Sequence, residues 1–261
     1  DVLRKIKDHG ADPHELFTDF DRFTKPLRRR AGNETVVHLT PANANEMIAK
    51  TQRGALAATV YEFSAGEFRL SNAFRLADAA HVTLRGQGMD ATKIYSSSEL
   101  AFCINVTNLV IEKLTFDCSE RGEGIIDSRG TGSMLLSSVR VIGFDVAAGH
   151  SAAIGVSEDT YVACEQCEFL GGYGRSPLSG AAVSLRALGF VYLKDCLMPE
   201  LDYWVIAGGR QALGSIAFAE NCRLPYNGST GRVDAGGAVR LKGCSFEPVG
   251  RIDLLQGSVE A

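Results

Sequence analysis

Apolar and polar residues alternate through Phe190-Val-Tyr-Leu-Lys-Asp-Cys-Leu-Met198: Val191 and Leu193, a polar pair, then Cys196 and Met198. A period of two marks a strand with one buried face. The pair Lys194-Asp195 breaks the period, which predicts a bend there and a second short strand beyond it. The same phrase recurs as Leu109-Ile111/Glu112-Lys113/Leu114-Phe116, Met134-Leu136/Ser137-Ser138/Val139-Val141 and Val162-Cys164/Glu165-Gln166/Cys167-Phe169. It returns as Ala217-Ala219/Glu220-Asn221/Cys222-Leu224 and Val239-Leu241/Lys242-Gly243/Cys244-Phe246.

One column of this repeat reads Leu114, Val139, Cys167, Cys196, Cys222, Cys244, with spacings of 25, 28, 29, 26 and 22 residues. A repeat of that length predicts a solenoid, whose units bury their cores only against one another. Stacked coils pair each strand with its equivalent in the next coil, in parallel and about 4.8 Å away. The column then becomes an inward ladder, where cysteine serves as a small buried residue. The second member of the polar pair is Gly86, Lys113, Ser138, Gln166, Asp195, Asn221 or Gly243 along the chain. Gly, Asn and Asp tolerate the left-handed backbone of a tight bend, so this position is expected to carry it. A third strand per coil lies upstream, at Phe74-Leu76, Phe102-Ile104, Ile154-Val156 and Val183-Leu185.

This grammar of strand, link, strand, bend, strand, loop resembles the right-handed parallel β-helix of the pectate-lyase-like superfamily. The opening segments Ser64-Ala-Gly-Glu-Phe-Arg-Leu70, His81-Val-Thr-Leu-Arg-Gly-Gln-Gly88 and Thr92-Lys-Ile94 look like the entry into such helices. The resemblance covers Val60 to Leu254, on the order of seven coils. It implies an all-β fold with a groove along one side, floored by the first strand of each coil. Lyases of this kind use calcium-binding acids and a basic proton acceptor, so the lyase reading implies calcium; related hydrolases use clustered aspartates.

The ends lie outside the repeat, which divides the chain into a helical extension or linker at 1–35 and a β-helix domain at 36–261. Asp12-Pro13-His14-Glu15 is a helix start, Leu16, Phe17, Phe20 and Phe23 share one helical face, and Pro26 ends it. Such a helix packs on the solenoid or tethers an upstream domain; a docking helix for a partner is the sharper reading. A second helix, from Thr40-Pro41 to about Thr51, is assigned to cover the open solenoid end, with Val60–Phe63 as the first strand beneath it. Beyond Gly250 one strand-like piece, Ile252-Leu254, has no cap after it, which leaves that end to continue in a longer chain or to pair with another subunit in self-association.

A net charge of −4 argues against nucleic acid as a partner. No apolar run reaches the length of a membrane span. Seven cysteines, four of them on the inward ladder, read as reduced core thiols and lean towards a reducing, cytoplasmic compartment. Cys164 and Cys167 have the spacing of a metal knuckle, yet both fall on inward rows and no second pair completes a zinc set; no metal site is assigned.

The loops after the third strands carry the candidate chemistry. Asp117, Asp145 and His150, with Glu120 and Glu123, come from two consecutive coils and form the candidate catalytic group. Tyr173 and Arg175, then Asp202, Tyr203 and Trp204, then Tyr226 and Asn227 suit sugar rings, which offer apolar faces and hydroxyl edges. The outward positions of the first strand read Arg75, Cys103, Asp127, Gly155 and Ser184, with no pair of acids on adjacent coils such as glycoside hydrolysis uses. Charges in the links (Asp127, Arg129, Glu158, Asp159, Arg186, Arg210) read as surface ion pairs. The resulting expectation is a non-catalytic module that binds carbohydrate or protein, or assembles. The alternative is a polysaccharide-active lyase, glycoside hydrolase or epimerase.

Overall fold

The alternation becomes stacked strands in a computed structural model that describes residues 20–25, 27–28, 33–51, 58–71, 74–77, 81–96, 101–104, 106–118, 126–129, 132–143, 152–156, 160–170, 181–185, 189–199, 201, 203–207, 215–224, 229–233, 237–246, 251–254 and 257–260. Helix α1 (Phe20–Thr24) comes first, then β1 (Thr35–Leu39), helix α2 (Ala44–Thr51), β2 (Thr59–Phe63) and β3 (Gly66–Leu70). The coils follow: β4 (Phe74–Ala77), β5 (His81–Arg85) and β6 (Thr92–Ser96); β7 (Ala101–Ile104) and β8 (Asn108–Asp117); β9 (Ile126–Arg129) and β10 (Gly132–Ile142). Next are β11 (Ala152–Val156), β12 (Thr160–Glu165) and β13 (Glu168–Leu170); β14 (Ala181–Leu185) and β15 (Gly189–Lys194); β16 (Tyr203–Ala207), β17 (Ile216–Glu220) and β18 (Arg223–Leu224). The last are β19 (Ser229–Val233), β20 (Gly237–Lys242) and β21 (Ser245–Phe246), then β22 (Arg251–Leu254) and β23 (Gly257–Glu260).

Each coil gives one strand to each face. An eight-stranded sheet stacks β4, β7, β9, β11, β14, β16, β19 and β22 in chain order. The larger sheet stacks β1, β2, β5, β8, β10, β12, β15, β17, β20 and β23, also in chain order. Every pair is parallel; for example Leu84, Ile111, Leu136, Cys164, Leu193, Ala219 and Leu241 are successive partners. This is a parallel β-helix, as the repeat predicts. Its inward rows are apolar and closed to water: Ile111, Leu136, Cys164, Leu193 and Ala219 are all 0% exposed. A one-residue slip would turn Glu112, Glu165 and Lys194 into the core, so burial fixes the register.

The structure moves one inward–outward assignment. Phe102, not Cys103, pairs with Arg75 on one side and Asp127 on the other. Ala101 and Cys103 instead share the rows of Phe74 and Leu76, because the strand begins one residue earlier than its apolar pattern suggests. A further strand, β1, also precedes the expected first strand and pairs with it. Over that end lies α2, which starts at Ala44 after a Thr40–Asn43 turn and inserts Ala44 and Ile48 into the core. Asn45 ties it to the body through Ser71 N–H (3.0 Å) and Arg69 O (3.0 Å).

The bends fall where the polar pairs place them, with one exception. Lys113, Ser138, Gln166, Asp195, Asn221 and Gly243 all have φ between 51° and 62°. Their amides stitch one coil to the next, as in Gln166 N–H to Lys194 O (3.0 Å) and Asn221 N–H to Lys242 O (2.8 Å). Gly86 is the exception: the positive φ of that coil belongs to Gly88. Gly86 is needed for closeness instead, since an added Cβ would lie 2.2 Å from Lys113 O.

The cysteine column is internal and hydrogen-bonded. Cys167, Cys196 and Cys222 are 1–3% exposed, while Cys244 is partly exposed. Each thiol donates to the carbonyl two residues back: Cys167 to Glu165 (3.3 Å), Cys196 to Lys194 (3.2 Å), Cys222 to Glu220 (3.3 Å) and Cys244 to Lys242 (3.6 Å). Three also reach the preceding coil: Cys167 to Leu136 O (3.6 Å), Cys196 to Cys164 O (3.5 Å) and Cys244 to Ala219 O (3.3 Å). Cysteine therefore does at the bend what valine cannot: it fills the row and donates a weak hydrogen bond to carbonyls. Burial pushes the Cys167 and Cys196 thiols well above their ordinary range, and for Cys222 and Cys244 the neighbouring thiol does most of it.

Two expected outcomes follow from the bends and the column. Gly86→Ala, which drives a methyl into backbone, should cost on the order of 3 kcal/mol. Gly243→Ala meets only the Asn221 side chain and a left-handed φ, and should cost about 1–2 kcal/mol; urea denaturation midpoints check the ranking. Cys167, Cys196 and Cys222 should resist thiol reagents in the native protein and react once it is unfolded. Because their folded pKa values are raised, stability is full below the free-thiol pKa of about 8.5 and falls as pH climbs above it. Thermal melts across that range report the fall.

Candidate binding face beneath the first helix

The outer side of the large sheet carries the described functional features. Strand residues opposite in parity to the core rows point away from it. Four of them are aromatic: Tyr161 on β12, Phe190 and Tyr192 on β15, and Phe218 on β17. They form a strip in edge contact, with Tyr192 at 4.6 Å from Phe218 and 6.5 Å from Phe190. Tyr161 lies 6.4 Å from Phe190. An outward aromatic strip needs a cover, and α1 supplies it. Phe20 meets the Tyr192 ring edge-on at 4.8 Å and is 2% exposed. Leu27, beyond the helix end, is buried in the same cluster with Val110 and Leu135. Of the predicted apolar face, Phe20 is thus on the solenoid, while Leu16, Phe17 and the Phe23 side chain lie outside the described residues. The helix ends at Thr24, two residues before Pro26, with Thr24 Oγ1 donating to Phe20 O (2.9 Å).

Beside the strip runs a row of alternating charge, made by the first members of the polar pairs. His38 Nδ1 lies 3.2 Å from Glu62. Arg85 bridges Glu62 (3.2 Å) and Glu112. Glu165 accepts from Ser137 Oγ (2.5 Å) and pairs with Arg28 beyond α1 (2.5 Å). Glu220 pairs with Lys242 (2.7 Å) and accepts from Tyr192 O–H (2.8 Å). Burial works to raise the Glu220 carboxyl, but the hydrogen bonds from Lys242 and Tyr192 outweigh it and hold the group below the usual carboxylate range. The motif recurs where β13 pairs with the end of β10: Arg140 joins Asp90 (2.7 Å) to Glu168 (2.6 Å).

A cleft of about 370 Å³ opens where α1 leaves the sheet. Leu27, Val110 and Leu135 give it apolar walls; Arg28, Arg85, Glu112, Lys113 and Ser137 line its polar side. His81 and Thr83 face it from β5, 7% and 4% exposed, with Thr83 Oγ1 3.3 Å from His81 Nε2. Burial lowers the His81 pKa against the opposing pull of Glu34, which keeps the imidazole neutral at pH 7. Apolar walls with a few placed polar groups are the ordinary make-up of a ligand site.

The candidate catalytic group is only partly placed. Asp117 ends β8 and is held by Lys93 Nζ at 2.9 Å, its side chain 11% exposed. Arg69 and Lys93 sit over the neighbouring Tyr95 ring at 4.6 and 4.7 Å. Asp145 and His150 lie outside the described residues, as do Tyr173, Arg175, Asp202, Tyr226 and Asn227. Tyr203 and Trp204 begin β16, where Tyr203 pairs with Ala181, but their side chains are outside the description. Cys164 and Cys167 both point into the core, at 0% and 1% exposure. Among the described residues no three metal-ligating side chains gather, and no helix is long and apolar enough to cross a membrane.

The α1 contact separates packing from charge. Phe20→Ala should free the helix and raise protease sensitivity and amide exchange at the N-terminal side and across the Tyr161–Phe218 strip. It removes a fully buried aromatic, a change worth roughly 3 kcal/mol in a core. Arg28→Ala should change these readouts little, because a half-exposed ion pair contributes about 0–1 kcal/mol.

No family model and no curated protein matches the chain. Among solved structures it is similar to the PL6 family alginate lyase AlyGC, with a TM-score of 0.49 and 9% identity. The match covers 89% of this chain but 40% of that one, so the chain spans less than half the length of the protein it matches.

Proposed function

We propose that the chain is a non-catalytic parallel β-helix module that binds a carbohydrate or protein partner. One observation carries the reading: six carboxylates on the outer faces, those of the charge row among them, are tied up. Glu62, Glu112, Glu165, Glu168 and Glu220 are each in an ion pair with Arg or Lys, and so is Asp117. A catalytic carboxylate needs an open approach to substrate. Carboxylates held against Arg or Lys lack it. The face has instead, beside α1, the parts of a recognition surface: a cleft with apolar walls and a fixed polar row. On the same reading Tyr173, Arg175, Asp202, Tyr203, Trp204, Tyr226 and Asn227 extend the role to sugars.

Glycan-array binding, run beside reducing-end and unsaturated-product assays on acidic polysaccharides, tests this. The expected result is retained binding without bond cleavage, unaffected by a chelator. Product formation that a chelator abolishes would contradict it and establish the enzyme reading, with Asp117, Asp145 and His150 the first residues to substitute.

A further inference from the structure

The thiol column is more regular than filling space requires. Cys167, Cys196, Cys222 and Cys244 hold one register position on successive coils, as the adjacent pairs Glu168–Leu197, Leu197–Arg223 and Arg223–Ser245 fix. Each sulfur therefore has its equivalents on the neighbouring coils beside it. Cys222 also accepts from Cys196 N–H at 3.4 Å. Three members are buried and Cys244 is partly exposed, so the column opens to solvent at one end.

Coil spacing then sets what the column can hold. Equivalent atoms on stacked strands repeat at about 4.8 Å. Two collinear metal–sulfur bonds, each about the 2.3 Å of a zinc–thiolate bond, span about 4.6 Å. A two-coordinate ion therefore fits between sulfurs of neighbouring coils with little backbone movement. An ion needing three or four ligands does not fit, since the described residues hold no such group. Sulfur ligands select soft cations, the copper(I) class above all. We propose that Cys222 and Cys244 bind a two-coordinate, soft, monovalent cation of the copper(I) class at the open end of the column, with Cys196 as the next ligand inward.

The charge balances. One thiol loses its proton to water as the cation binds, and the second sulfur coordinates as the thiol. Thiolate and cation sum to zero, so no net charge enters the core, where an uncompensated one would be costly. The proton competes with the metal for sulfur, so affinity rises roughly tenfold per pH unit below the thiol pKa.

Silver(I) is the probe, titrated into the full chain in nitrate buffer without oxygen. Stoichiometry is read by native mass spectrometry, released protons by pH-stat, and stability by thermal melts. The expected result is a first silver ion bound with one proton released and a raised melting temperature. Cys244→Ala should weaken this step at least a hundredfold, and Cys118→Ala, a buried thiol outside the column, should leave it unchanged. Cys244 is the test position because it is only partly buried, so its variant is the one best placed to fold; Cys222→Ala should give the same loss. Equal affinity in wild type and Cys244→Ala, loss of binding in Cys118→Ala, or no silver retained by the folded chain would overturn the proposal.

Discussion

Backbone hydrogen bonding between successive coils in exact stacking is the constraint from which the other features of this protein follow. Once each strand pairs in parallel with its equivalent, a side chain's neighbours are set by its position in the repeat rather than by its distance along the chain. Inward positions must then be apolar on every coil, because one charged residue would sit between two buried rows. The bend must recur at one place, and six of its residues hold a left-handed backbone there, three of them as Lys113, Ser138 and Gln166, types that enter it reluctantly. The Gln166, Asp195 and Asn221 amides each bond to a carbonyl of the next coil and hold the bend there.

Stacking also organises the outside. Like positions become rows, so a choice of residue type repeated along the chain becomes a surface property. The first members of the polar pairs form a row of alternating charge, and outward positions two or four residues earlier carry the aromatic strip: Tyr192 and Phe218, then Phe190 and Tyr161. Each ion pair is weak alone, but the row fixes carboxylates that would otherwise be available for chemistry. The strip is apolar enough to require cover, and α1 provides it with one ring and one leucine.

Much of this was legible from residue order, and the limits have physical causes. The cysteine column and the bends stood out because a period of two and a repeat of 22–29 residues both act on the same positions. Gly86 misled because a glycine at a bend suggests a left-handed backbone, whereas here it makes room for a carbonyl. Phe102 misled because a large apolar residue reads as inward, and only its pairing with Arg75 and Asp127 places it in the outward row. The charge row was sought in the links, yet Glu112, Glu165, Lys194, Glu220 and Lys242 already showed it in the polar pairs. The aromatic cover was hidden because the alternation separates inward from outward positions without saying which outward ones another element will bury. Asp117 looked free as a loop acid; nothing along the chain announces that Lys93, a coil earlier, reaches it.

A crystal structure phased on the anomalous scattering of its own sulfur atoms tests the stacking most directly, because it locates Cys167, Cys196, Cys222 and Cys244 without reference to any model of the chain. The account predicts four sulfur peaks in a near-straight line, about 4.8 Å apart and inside the molecule. Peaks scattered over different faces, or lying at the surface, would contradict it.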